Sequence, residues 1–333
     1  MSLKFLGLIA GAAFAMAAAG PATAETTIKL GHFGPGGDAF SLTVEAFAAE
    51  LDKRSEGRLK VQIYPAGQLG NEKQQISALQ GGLQEMLVTA ATNLTNMSEP
   101  LRLLDLPFVF GNYAEADAVT TGEFGAKFLT GLEDANLSGL ALWENGFRVM
   151  TNNKRPIAMP EDLKGLAMRV IGAPVFIDTF TALGAQPVPM PFPELYSGLE
   201  TGTIDGQDNT ALTVDMMKYY EVQDHLTISN HMYSAMAVLA GRPFLDGLSP
   251  EDRQLLETVA VEFGVTQRAM LREAADKVVD TLAGQHGMEV IRELSPEQLA
   301  AFRAAAAPVI EKTVSADLKP LYDEMIARID AAK

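Results

Sequence analysis

The sequence has no cysteine, one tryptophan and four histidines, and its basic residues are well outnumbered by acids. Without cysteine there is no disulfide, no thiolate metal site, no thiol nucleophile and no lipobox lipid anchor. A chain without such staples must be held by its core. At 333 residues and 47% hydrophobic, it has enough for one large or two medium domains. His32, His225, His231 and His286 are scattered without ligand spacing, so no metal is expected. No G-x-S-x-G, H-E-x-x-H or P-loop occurs. With 26 Lys and Arg against 42 Asp and Glu, nucleic acid and anionic lipid are poor partners. An acidic protein can still bind an anion where positive groups converge in a sheltered cleft.

Long apolar runs are missing too, except at the start. Lys4 precedes "FLGLIAGAAFAMAAAG", and "ATA" closes residues 22–24. A charged residue, a short apolar stretch and small residues at −3 and −1 describe a secretory signal cut before Glu25, by the general route since no twin arginine is present. The run is shorter than the ~20 residues a membrane anchor needs. Every later apolar run is broken by charges, Gly or Pro, so the expected product is exported and soluble. Loss of Lys4 leaves 25 basic against 42 acidic residues, a formal charge of −17.

From residue 27 onward, strand-like and helix-like segments alternate. "TIKLGHF" (27–33), "LKVQIYP" (59–65) and "MLVTAA" (86–91) read as strands. Phe40, Val44, Phe47 and Leu51 form one face of a helix, and "NEKQQISALQGG" (71–82) forms another. This rhythm predicts a parallel sheet covered by helices. A second cycle takes in "GLALW" (139–143), "FRVMT" (147–151), "AMRVI" (167–171) and "AQPVPM" (185–190), and "MYSAMAVLAG" (232–241) reads as a central or crossing strand. Ser249-Pro250-Glu251-Asp252 is a helix start. Leu255, Val259, Phe263, Met270, Ala274, Val278 and Leu282 continue it over roughly 34 residues, or about 50 Å. A single helix of that length without strict heptads runs across two domains. "GPGGD" (34–38) lacks dinucleotide spacing and reads as a strand-to-helix loop rather than a phosphate cradle. "PVPMPFP" (187–193) reads as an edge strand entering a helix.

Two arginines, Arg148 in "NGFRVMTN" and Arg169 in "AMRVIG", sit inside apolar strand-like runs. Arginine is almost never buried unpaired, so each either has a structural acid or awaits an anion. Near them "TGTIDGQDN" (201–209) offers amides after a helix. Open α/β sheets bind ligands beyond the carboxyl ends of their strands, and a guanidinium fork matches a carboxylate.

"GQLGNEKQQISALQGG" (67–82), "DLPFVF" (105–110), "GFRVMTNNKRPI" (146–157), "DLKGLAMRVIGAP" (162–174) and "PELYSGLETGTIDGQDN" (193–209) occur in this order. Together they resemble the solute-binding subunits of tripartite ATP-independent periplasmic (TRAP) transporters, of the C4-dicarboxylate-binding type. The resemblance spans essentially the whole mature chain. It implies a two-domain α/β Venus-flytrap fold with hinge-crossing strands and a long bridging helix. Domain I would hold 25–147 plus about 235–265, and domain II 148–234 plus about 266–333.

The resemblance further implies a carboxylate held by Arg169, aided by Arg148, with Asn209 hydrogen-bonding the ligand. Thr92 and Asn93 would stand at the cleft wall, and Glu72, Phe192 and Tyr233 would line it. One departure is Gln84-Glu85, where many relatives have an acidic "VD"; it is expected to affect the domain surface more than the ligand. The implied protein is a monomeric periplasmic receptor without catalysis or cofactor, delivering a small organic acid to membrane permease subunits. Two arginines suit a C4-dicarboxylate with one at each end. They equally suit one carboxylate gripped twice, with the rest of the cleft left for hydroxyls. The reading leans to a sugar acid such as a uronate or aldonate, with a C4-dicarboxylate or keto acid as the alternative. The rival from another class is an exported enzyme on an acidic sugar, with Glu72 or His32 as its base.

Overall fold

A computed structural model describes residues 25–333; the expected leader lies outside the described residues. The strands are β1 (Thr26–Gly31), β2 (Leu59–Tyr64), β3 (Met86–Ala90), β4 (Leu137–Asn152), β5 (Ala167–Val170), β6 (Gln186–Pro189), β7 (Gly206–Thr210), β8 (His225–Thr227), β9 (Tyr233–Gly241) and β10 (Glu289–Ile291). They hydrogen-bond in the order β2-β1-β3-β9-β4-β7-β5-β6, with β8 on β4 and β10 on β8. The expected parallel pairing holds at the two ends, β2-β1-β3 and β7-β5-β6. The centre is antiparallel: β9 lies against both β3 and β4, and β4 against β7.

The segments 139–143 and 147–151 are not two strands but parts of one. β4 runs 16 residues, pairing with β9 as far as Phe147 and with β7 from Arg148 onward. It passes from the first lobe to the second at a register shift between Glu144 and Gly146. Gly146 has φ +112°, open to glycine but strained for other residues.

Each lobe buries two cores, one on either face of its sheet. In the first lobe, Phe47, Trp143 and Val238 pack on one face, and Leu94, Leu104 and Phe128 on the other. In the second, Phe176, Phe180 and Phe302 oppose Leu195, Tyr219 and Val278. The long helix is Pro250–Gly284, with the Ser249 hydroxyl accepting from the Asp252 amide. It contributes Leu256, Val259 and Phe263 to the first lobe and Val278 and Leu282 to the second. Its buried face differs from the expected stripe by one residue at Leu255/Leu256 and Met270/Leu271, and it includes Gln267 and Arg268. These polar groups are buried because they satisfy β4 beside its irregularity. Gln267 accepts from the Glu144 amide at 2.8 Å and donates to its carbonyl at 2.7 Å, while Arg268 donates to the Leu142 carbonyl at 2.9 Å.

The chain does not end in the second lobe as expected. Helix Lys319–Ala331 crosses back, and Leu318, Met325 and Ile329 enter the first lobe's core. Helix Pro296–Thr313 stays with the second through Phe302, Ala306 and Val309. No helix among the described residues is long and apolar enough to cross a membrane.

Candidate functional site

A cavity of about 410 Å³ lies between the lobes, over the carboxyl ends of β1, β3, β5 and β7. Arg169 is part of its second-lobe wall. Successive strand residues face opposite sides: Met168 and Val170 enter the second lobe's core, leaving Arg169 to the cleft. The residue is only 3% exposed. Its Nε and Nη2 both donate to the Met190 carbonyl, at 3.0 and 2.8 Å. Among the described residues it has no carboxylate within 4.0 Å. Burial lowers its pKa, partly countered by the field of Asp208.

Arg148 differs in kind. It stands in mid-strand on β4, not at a strand end, and also lines the cavity. Its Nε pairs with Asp208 Oδ2 at 2.5 Å, and its Nη2 donates to the Asp208 carbonyl at 2.7 Å. The guanidinium lies 5.0 Å from the Phe176 ring centre. Burial opposes the charge on Asp208, but Arg148 and His231 outweigh it and hold the carboxyl below the usual carboxylate range.

Ser229, His231 and Asp208 form a chain, Ser229 Oγ to His231 Nδ1 at 2.8 Å and His231 Nε2 to Asp208 at 3.3 Å. Its connectivity is that of a hydrolytic triad. All three residues are buried and none is on the lining of this cavity. Among the described residues no cluster of three or more His, Asp or Glu side chains could hold a metal ion.

The remaining walls are amide- and hydroxyl-rich. Thr92 donates to Asp105 Oδ1 and Asn93 donates to Thr89 Oγ1, both at 2.9 Å. Burial lifts Asp105 to about 7, against the Thr92 hydrogen bond and Arg148. Asn209, on β7, lines the second-lobe side. Glu72 opens helix Glu72–Gln80, capped by the Asn71 side chain. Phe192 meets Phe33 of the other lobe edge-on, with ring centres 5.4 Å apart.

Seven of the eight residues singled out in the sequence therefore meet around one cavity. Tyr233 does not. It is buried away from the lining, donating to Glu144 Oε2 at 3.0 Å and packing against Phe110 and Phe147. The expectation for Gln84 is also corrected. It is buried, not superficial, and donates to Gln75 Oε1 at 3.1 Å, which makes it a support for a lining residue.

Sequence reasoning missed Gln75, Asn96 and Asn145 on the lining and Asp208 behind it. His32, read only as a possible base, is also on the lining. It directly follows β1, and the rule that ligands bind beyond the carboxyl ends of strands could have found it.

Residues 30–317 match the family model described as bacterial extracellular solute-binding protein, family 7. The chain is 37% identical to the 2,3-diketo-L-gulonate-binding periplasmic protein YiaO of Escherichia coli strain K12, over 81% of this chain and 82% of that protein. It is 33% identical to the C4-dicarboxylate-binding periplasmic protein DctP of Rhodobacter capsulatus, over 99% and 96%. Its fold is similar to the crystal structure of the sugar acid binding protein DctPAm from Advenella mimigardefordensis in complex with galactonate. The TM-score is 0.88 at 32% identity, covering 93% of this chain and 99% of that one.

Proposed function

The chain belongs to the bacterial extracellular solute-binding proteins of family 7, and from that premise we propose that it is the periplasmic receptor of a TRAP transporter, taking a sugar acid in its cleft for delivery to the membrane permease. The observation that carries the reading is Arg169, a buried guanidinium that has no carboxylate partner among the described residues and lines a cavity between two lobes. A buried charge is tolerated only when paired, and a ligand carboxylate supplies the pair.

Arg148 adds to the positive field but spends its fork on Asp208, whereas Arg169 gives Nε and Nη2 only to the neutral Met190 carbonyl and keeps its remaining N–H groups for a carboxylate. Asn209, Asn93, Thr92 and Glu72 are left to hold hydroxyls, and Lys73 is the other cation on the lining. Phe192 and Phe33 shut the mouth over the ligand. The relatives' names support both ligand classes: two name sugar-derived acids and one a C4-dicarboxylate. A dicarboxylate or keto acid is therefore the second reading. The receptor works without catalysis, as a monomer, after loss of its first 24 residues.

A thermal-shift panel of galactonate, glucuronate, succinate and 2-ketogluconate tests this. A ligand at a hundredfold excess over its dissociation constant stabilises the folded state by about 2.7 kcal/mol. The sugar acids are expected to raise the melting temperature most and to be recovered unchanged. Turnover of any of them would favour the enzyme, and no shift with any would refute the receptor. Intact mass of periplasmic protein should correspond to a chain beginning at Glu25.

A further inference from the structure

Most polar side chains around the cavity already have protein partners: Arg148 with Asp208, Thr92 with Asp105, Asn93 with Thr89, and Gln75 with the Gly70 carbonyl. His32 does not. It is 1% exposed and lies on the cavity lining, and neither Nδ1 nor Nε2 has a hydrogen-bond partner among the described residues. Its backbone is fixed on both sides, the amide donating to the Tyr64 carbonyl at 3.2 Å and the carbonyl accepting from Gly67 at 3.1 Å. The ring packs beside Phe40, with centres 5.9 Å apart. A rigid, buried imidazole with both nitrogens orphaned is costly unless something else completes it.

We propose that His32 reads the uncharged, hydroxylated end of the ligand, one of its two unpartnered ring nitrogens hydrogen-bonding a ligand hydroxyl, and that it thereby selects polyhydroxy monocarboxylates over dicarboxylates. This rests on the receptor reading above and adds a specificity-determining residue to it. The division of labour follows from position. Arg169 is on the second lobe and takes the carboxylate; His32 follows β1 on the first lobe and takes the other end. A ligand must span both, which ties recognition of the hydroxyl to closure. Burial depresses the ring's pKa to about 4, with Asp38 pulling the other way, so the imidazole is neutral near pH 7. A neutral imidazole offers one donor and one acceptor, and a hydroxyl, which can accept or donate, pairs with whichever nitrogen faces it. The ring offers a second carboxylate no charge.

Calorimetric titration of three six-carbon probes tests the assignment: galactonate, hexanoate and adipate. The wild type should prefer galactonate. His32→Phe should weaken galactonate about 10- to 100-fold, the loss of a hydrogen bond that leaves a buried hydroxyl unpaired. It should leave hexanoate and adipate within about threefold and should not lower the apo melting temperature. His32→Asn, which keeps a donor and an acceptor and is smaller, should lose less than His32→Phe and serves if the phenylalanine does not fit. Galactonate affinity unchanged in His32→Phe, or adipate preferred by the wild type, would overturn the assignment while leaving the receptor reading standing. Failure of the wild type to bind any of the three would overturn both.

Discussion

Replacing Arg148 with methionine should unfold the apo protein far more readily than its place on the ligand cavity suggests. Arg148 is 1% exposed and Asp208 is fully buried, and their pairing joins β4 to β7 where the chain enters the second lobe. Removing one partner of such a pair costs about 3–5 kcal/mol, because the other charge is left uncompensated. The total stability of a domain is only about 5–15 kcal/mol. Arg148→Met should therefore lower the apo unfolding free energy by about 3 kcal/mol or more in a urea titration at pH 7. The double variant Arg148→Met/Asp208→Asn removes both charges and should recover most of the loss, leaving a coupling energy of about 2 kcal/mol or more. The pH dependence has a definite sign. The folded pKa of Asp208 lies below its ordinary 3.8. Its ionisation therefore contributes stability above the unfolded pKa, and this is lost as pH falls through the folded value. In Arg148→Met that depression is removed, so the deficit seen at pH 7 should narrow below about pH 4. An Arg148→Met protein within about 1 kcal/mol of wild type at pH 7 would refute the reasoning and return Arg148 to the ligand.

Asp105 should give the opposite pH slope. Burial raises it from 3.8 to about 7, so its contribution is full below 3.8 and declines as pH rises to about 7. Asp105→Asn should thus melt higher than wild type at pH 8 and equal to it near pH 4; parallel melting curves across that range would contradict this. At Gly206 an added Cβ would sit 2.2 Å from the Thr151 carbonyl oxygen, a backbone contact that only a shift of β7 against β4 can relieve. Gly206→Ala should cost about 1–3 kcal/mol or more in a thermal melt and weaken binding through displaced Asn209, whereas a wild-type melt would place the strands further apart than described. Small-angle scattering should show a smaller radius of gyration with bound acid than without, and no change at saturation would count against closure of two lobes.

Sequence rules succeeded wherever the signal was local. The strand-helix rhythm before residue 91 follows from apolar period and Gly/Pro punctuation. The long helix follows from Ser249 and Pro250 and an unbroken apolar stripe. Arg169 stood out because a charge in a four-residue apolar strand has few explanations. What stayed hidden depends on distant register. That Arg148 already owns an acid could be seen only once β4 lay antiparallel on β7, which puts Asp208 opposite Met150 and beside the arginine. Tyr233 opens a strand in which all nine residues are buried, so alternation cannot say which of its faces meets the cleft. Gln267 and Arg268 look like a solvent face but are the partners of a broken ladder on β4. The last helix packs on the first lobe, against expectation, and nothing in its own sequence says which core Met325 and Ile329 enter.

The central claim is that Arg169 is kept buried and unpaired for a ligand carboxylate. Calorimetric titration of Arg169→Met with the acid giving the largest thermal shift, alongside its apo melt, tests it most directly. A charge-assisted hydrogen bond contributes about 1.5–3 kcal/mol and breaking a buried pair costs about 3–5. At 1.4 kcal/mol per tenfold, affinity should fall by about 10²- to 10³-fold or more. Arg169→Lys should recover only part, since an ammonium has no planar fork. The apo melting temperature should hardly move, because the only described partner lost is the Met190 carbonyl. A strongly destabilised Arg169→Met that still binds the acid normally would contradict the account.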